Sequence, residues 1–147
     1  MDIVAADIMT RSVVTVTEQT LLEEAARLLD AHRITGLPVV DGEGRLTGIL
    51  SQSDLIRRTH WIGAWSPDRV CQVMSRAPVT VPPSEPLASL CQRMVEHRIH
   101  RVVVVEGEEI RGILTTLDIL AVVATGGVPQ ELAAPLARLD EADLVCR

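Results

Sequence analysis

The chain has no lysine, no phenylalanine and no tyrosine, and only two tryptophans, Trp61 and Trp65. Its interior must therefore be aliphatic. All basic residues are arginine, 14 of them against 20 acidic residues, for a net charge of −6. That balance excludes the basic surface that non-specific nucleic-acid binding requires. Cysteine is scarce. Cys71, Cys91 and Cys146 are odd in number and widely spaced, which excludes a disulfide framework and metal-ligand spacing. They read as buried free thiols in a reducing compartment. No apolar run approaches the ~20 residues needed to span a bilayer. The opening MDIVAADIMTRS lacks a basic region followed by an apolar run, so no signal peptide is expected. The expected location is the cytoplasm, away from membranes. No GxxxxGK[ST] loop, nucleophile–base pair or metal cluster stands out, so no enzyme is expected.

What the chain does have is internal repetition. Its 147 residues, 47% apolar, suffice for one ordinary domain or two very small ones. At an offset of 65, Met9 falls on Met74, Arg11 on Arg76 and Val14-Thr15-Val16 on Val79-Thr80-Val81. The same offset places His32-Arg33-Ile34 on His97-Arg98-Ile99. At 64, Gly48-Ile49-Leu50 falls on Gly112-Ile113-Leu114 and Asp54 on Asp118. The chain divides into a first repeat (1–60), a linker (61–68), a second repeat (69–125) and a tail (126–147).

Each repeat reads β-α-β-β-α. A short β-rich segment comes first, Val13–Val16 or Val79–Val81. A helix follows, with Thr20 as its expected N-cap and Glu23 completing a capping box. Leu21, Ala25, Leu28, Leu29 and His32 share one expected face, matched by Leu87, Leu90, Cys91 and Met94. Strands Leu37–Val40 and Val102–Val105 come next, then turns at DGEG and EGEE. Return strands at Leu46–Leu50 and Ile110–Leu114 follow, and second helices start near Ser53 and Leu117. The fold class is α+β with α/β-type packing. A unit of about 55 residues buries little core, so the two are expected to pack as one body.

The stretch HRIHRVVVV, 97–105, sets cationic groups at the mouth of a strand apolar on both faces. Such strands are buried on both sides. The placement suits either a bound anion or a surface salt bridge. Asp54 and Asp118 stand in the first turn of a helix, where negative charge is favoured by about 0.3–1 kcal/mol. They serve either as helix-start residues or as acceptors for a vicinal diol, which an ionised carboxylate binds by charge-assisted hydrogen bonds. His32-Arg33 and His97-Arg98 read as support for helix C-termini.

The doubled order of elements, ITGLPVVD (34–41), GILSQSD (48–54) and GILTTLD (112–118) together resemble a tandem pair of cystathionine-beta-synthase (CBS) domains, a Bateman module. HRIHR before a valine strand resembles the corresponding segments of the AMP-activated protein kinase gamma subunit. The resemblance covers residues 4–124. It implies pseudo-twofold packing of the repeats around two clefts, with adenine nucleotide (AMP, ADP or ATP) as ligand and no required cofactor. The stronger cleft would be formed by Ser51, Ser53, Asp54, Arg76, Pro78, Val79, His100 and Arg101. There Asp54 would receive ribose hydroxyls, and His100 and Arg101 would hold phosphate. The weaker cleft would combine Ser12, Val14, Thr35, Gly36, Thr115, Leu117 and Asp118, with Thr35-Gly36 in place of the phosphate pair. The implied function is a stand-alone regulatory module sensing nucleotide for an unidentified protein partner. The alternatives are a structural dimerisation module, or a binder of another adenosyl ligand such as S-adenosylmethionine. A homodimer is expected, with Trp61 and Trp65 packed on the core or in the contact.

Overall fold

The computed structural model describes residues 2–62 and 68–129, with backbone alone over 58–62. The first half contains α1 (Ala5–Ile8), β1 (Val16–Thr17), α2 (Leu22–His32), β2 (Gly36–Val40), β3 (Leu46–Ser51) and α3 (Gln52–Ile62). A 3₁₀ turn, Val70–Gln72, opens the second half. It is followed by β4 (Thr80–Val81), α4 (Leu87–His97), β5 (Arg101–Glu106), β6 (Glu109–Thr115) and α5 (Thr116–Thr125). The mixed α/β architecture expected from the repeats is therefore present. The strands form two three-stranded sheets, β1-β2-β3 and β4-β5-β6. In each, the first pair is parallel and the second antiparallel. The two antiparallel ladders slip at equivalent places, between Val39 and Val40 and between Val104 and Val105.

The valine strand is buried on both faces: Val102, Val103 and Val104 are fully enclosed, as are Leu37, Pro38 and Val39 of β2. The segments before β1 and β4 pack on the opposite repeat. Ala5, Ile8 and Met9 join the core of Leu90, Met94, Val102, Val104 and Leu114. Val70 and Met74 join the core of Leu22, Leu29, Leu37 and Leu50. Burying a side chain such as Ile8 stabilises the fold by about 1.5–3 kcal/mol, and the gain here bonds the repeats together. The crossing obeys the pseudo-twofold. Thr10 exchanges both backbone hydrogen bonds with Ile113, and Ser75 does the same with Ile49. Likewise Ala5 donates to the Glu85 carbonyl and Val70 to that of Thr20. Gly48 and Gly112 lie beneath the crossing segments, and a Cβ on Gly48 would stand 2.5 Å from the Ser75 carbonyl oxygen.

This crossing changes several expectations. α1 and the 3₁₀ turn had no periodic signal, being too short to show one. Thr20 does not cap α2. The N-cap is Leu21, without a side-chain bond, because the Thr20 carbonyl and the Leu22 amide are engaged by Val70 and Asp68. That pairing keeps Thr20–Leu22 extended. The Thr20 hydroxyl instead accepts the Thr17 amide at 3.1 Å. The buried face of α2 is Leu22, Ala25 and Leu29, while Leu21 and His32 are exposed. β1 starts at Val16 rather than Val13, since it pairs with β2 over two residues only. Cys71 and Cys91 are free thiols but half-buried rather than buried. The side chains of Trp61 and Trp65 and the cysteine at 146 lie outside the described residues.

Candidate functional site

Each return strand passes directly into the following helix, and a hydroxyl–carboxylate pair forms the junction. At the first junction, Asp54 Oδ2 accepts the Ser51 amide at 2.8 Å and the Ser51 hydroxyl at 2.8 Å. At the second, Asp118 Oδ2 accepts the Thr115 amide at 2.7 Å and its hydroxyl at 3.0 Å. The hydroxyl oxygens in turn face the amides of Asp54 and Asp118. Both pairs are reciprocal helix starts, so the helix-start role of these carboxylates is realised. They differ at the second carboxylate oxygen. Asp54 Oδ1 accepts Arg57 Nη2 at 2.8 Å, an ion pair in which Asp54 is 14% exposed and Arg57 69%. Asp118 Oδ1 has no such partner among the described residues. Ser53 hydrogen-bonds the Ser51 hydroxyl.

Arg101 starts β5, and its side chain reaches across to the first repeat. Nη2 donates to Thr35 Oγ1 at 2.8 Å. Nη1 is buried and has no hydrogen-bond partner. Burial depresses the Arg101 pKa, and the nearby Asp54 carboxylate opposes that shift; an arginine remains charged in either case. Arg101 therefore meets Thr35 and Gly36 as well as the field of Asp54. The starts of β2 and β5 are held alike: Gln52 N–H donates to the Thr35 carbonyl and Thr116 N–H to that of His100. The His100 ring is exposed.

The remaining predicted residues are spread around this centre. Pro78, Val79 and Val14 are half-buried before or beside the first strands, and Ser12 is exposed. Arg76 is held by Glu18 at 2.7 Å and by the Cys71 carbonyl at 3.3 Å. Leu117 projects from α5 and is 67% exposed. The sequence reading missed Arg57, although its i+3 spacing from Asp54 was a usable signal. It also missed the Thr35–Arg101 bond, which only the equivalence of the two strand starts could have indicated. Arg33 and Arg98 prove to be helix C-caps in the left-handed region, with His32 and His97 in the last turns.

A CBS domain family model matches residues 4–60 and 70–125. The chain belongs to the CBS domain family. This CBS pair is 34% identical over 113 residues to the CBS domain-containing protein YhcV of Bacillus subtilis, covering 77% of this chain and 80% of that protein. It is 32% identical over 115 residues to a homoserine O-acetyltransferase of Methanococcoides burtonii, covering 78% of this chain and only 23% of that enzyme. Among solved structures, the CBS domain pair of MJ0100, in complex with 5′-methylthioadenosine and S-adenosyl-L-methionine, aligns with TM-score 0.80 and 26% identity. That match covers 86% of this chain and 99% of the other. CBSX2 in complex with AMP aligns with TM-score 0.72 and 26% identity, over 83% and 96%. Among the described residues of this CBS pair, no helix is long and apolar enough to cross a membrane.

Proposed function

We propose that this CBS pair is a regulatory module that binds an adenine nucleotide between its repeats and transmits occupancy to a protein partner. The observation that carries this reading is the buried, unpartnered Nη1 of Arg101, in the field of Asp54. A buried donor without an acceptor costs about 1–3 kcal/mol. A phosphate oxygen would satisfy it, and arginine binds phosphate in a bidentate way. The ribose diol falls to a carboxylate, Asp54 or Asp118. At Asp54 the exposed Arg57 must first yield Oδ1. Ser51 and Ser53 extend that wall, His100 adds a second donor, and Pro78 and Val79 supply apolar surface for the base. Arg76, held by Glu18, acts at the margin.

The complex of MJ0100 supports a second reading, an S-adenosyl ligand without phosphate. Calorimetry with AMP, adenosine and S-adenosylmethionine separates the two. Arg101→Ala is expected to weaken AMP roughly 10- to 150-fold, the equivalent of one charge-assisted hydrogen bond, and to leave adenosine nearly unchanged. Asp54→Ala is expected to weaken both. Equal losses of AMP and adenosine in Arg101→Ala would assign the arginine a structural role, and preference for S-adenosylmethionine would favour the second reading.

A further inference from the structure

Gly36 and Arg101 are equivalent positions, because the offset that puts Thr35 on His100 puts Gly36 on Arg101. They also meet. A Cβ on Gly36 would fall 1.7 Å from Arg101 Nη1 and 2.7 Å from its Cζ. The guanidinium thus fills the space that a side chain at 36 would take, and Thr35 Oγ1 fixes one of its nitrogens at 2.8 Å. The other nitrogen is buried and unpartnered. Two strand starts related by the pseudo-twofold thus meet at one cation, which also lies in the field of Asp54.

We propose that Arg101, seated on Thr35 and Gly36, is a single anion-binding group shared by both clefts, so that the pair holds one phosphorylated ligand at a time. The other cleft, with Thr115 and Asp118, takes only a nucleoside lacking phosphate. This rests on the nucleotide reading above and deepens it. A guanidinium drawn to one phosphate is no longer available to a second. A second phosphate would then enter a partly buried site uncompensated, facing a like charge across the axis. Gly36 is the specificity-determining position, since a side chain there evicts the guanidinium from its seat.

The test has two arms on the full chain. In calorimetric titration, AMP is expected to bind one per chain, with any second event weaker by about tenfold or more, whereas adenosine fills both clefts. In Arg101→Ala the advantage of AMP over adenosine should be lost. Two AMP molecules bound with affinities within about threefold of each other would overturn the sharing, as would an unchanged gap in Arg101→Ala. The second arm needs no ligand. Gly36→Ala is expected to shift the melting temperature of the wild type by a different amount from its shift in Arg101→Ala, because only the wild type has a guanidinium to evict. Equal shifts in both backgrounds would overturn the seat. Failure to bind both AMP and adenosine would overturn the nucleotide reading and the sharing with it, while the melting cycle still judges the seat.

Discussion

Arg33 and Arg98 close α2 and α4 with φ of 52° and 51°. In each cap the following isoleucine donates to the carbonyl five residues back, Ile34 to Leu29 and Ile99 to Met94, an arrangement that usually takes glycine. A side chain in this region costs about 1–2 kcal/mol, and glycine gives back about 0.5–1 kcal/mol through its looser unfolded chain. Arg98→Gly is therefore expected to stabilise the protein by up to about 1 kcal/mol in urea unfolding. A loss would show that the arginine side chain holds something its cap geometry does not require. Glu85 makes the opposite kind of contribution. It is 9% exposed, accepts the Ser89 hydroxyl and accepts Arg93 Nε at 2.9 Å. The Ser89 bond is the main cause holding its pKa below the ordinary 4.5, with Arg93 adding to it against the effect of burial. The folded state thus releases this proton more readily than the unfolded one. Its stabilisation is complete above pH 4.5 and is lost as pH falls through the lower folded value. Glu85→Gln should melt below wild type at pH 7, and the gap should narrow on acidification towards pH 3. A constant gap would contradict this.

At the scale of elements, Gly48 and Gly112 show why both return strands begin their shared Gly-Ile-Leu with glycine. Each carries the other repeat's crossing segment on its α-carbon. At Gly48 the nearest obstacle to a Cβ is the Ser75 carbonyl at 2.5 Å, whereas at Gly112 it is the Met9 sulfur at 2.6 Å, with the Thr10 carbonyl farther off at 2.9 Å. Backbone yields less than a methionine. Gly48→Ala is expected to cost about 1–3 kcal/mol and Gly112→Ala less, measured by chemical denaturation. A reversed order would mean that the crossing at Ser75 is the looser one. The repeat itself, the order of elements and both hydroxyl–carboxylate junctions were legible because they are local patterns copied twice. The crossing was not. Met9 and Met74 were seen as matching residues, yet nothing within one repeat says that each packs under the other. The Thr20 cap was misread for the same reason: its local signal is sound, but Asp68 and Val70 engage the neighbouring backbone. The contact of Arg101 with Gly36 was not legible either, because alignment pairs the two positions and does not show that they touch.

For the whole molecule, crossing makes each core a joint product. The first repeat lacks Val70 and Met74 if cut at the linker, and the second lacks Ala5, Ile8 and Met9. Each missing side chain forfeits burial and leaves a gap, at about 2–5 kcal/mol for a large aliphatic group, against a total stability of about 5–15 kcal/mol. Fragments 1–62 and 68–147 are therefore expected to be unfolded as separate monomers and to gain structure on mixing, followed by circular dichroism and sedimentation. A fragment folding alone as a monomer would contradict the joint core. The crossing also orders events in time. A ribosome delivers the first repeat before the second, but the first repeat's core stays open until Met74 has emerged. Thr10 finds its partner Ile113 only when most of the chain has been made. Ile8 and Met9 are thus made before the core that encloses them, and until it forms they stand exposed to whatever else in the cell binds apolar chain.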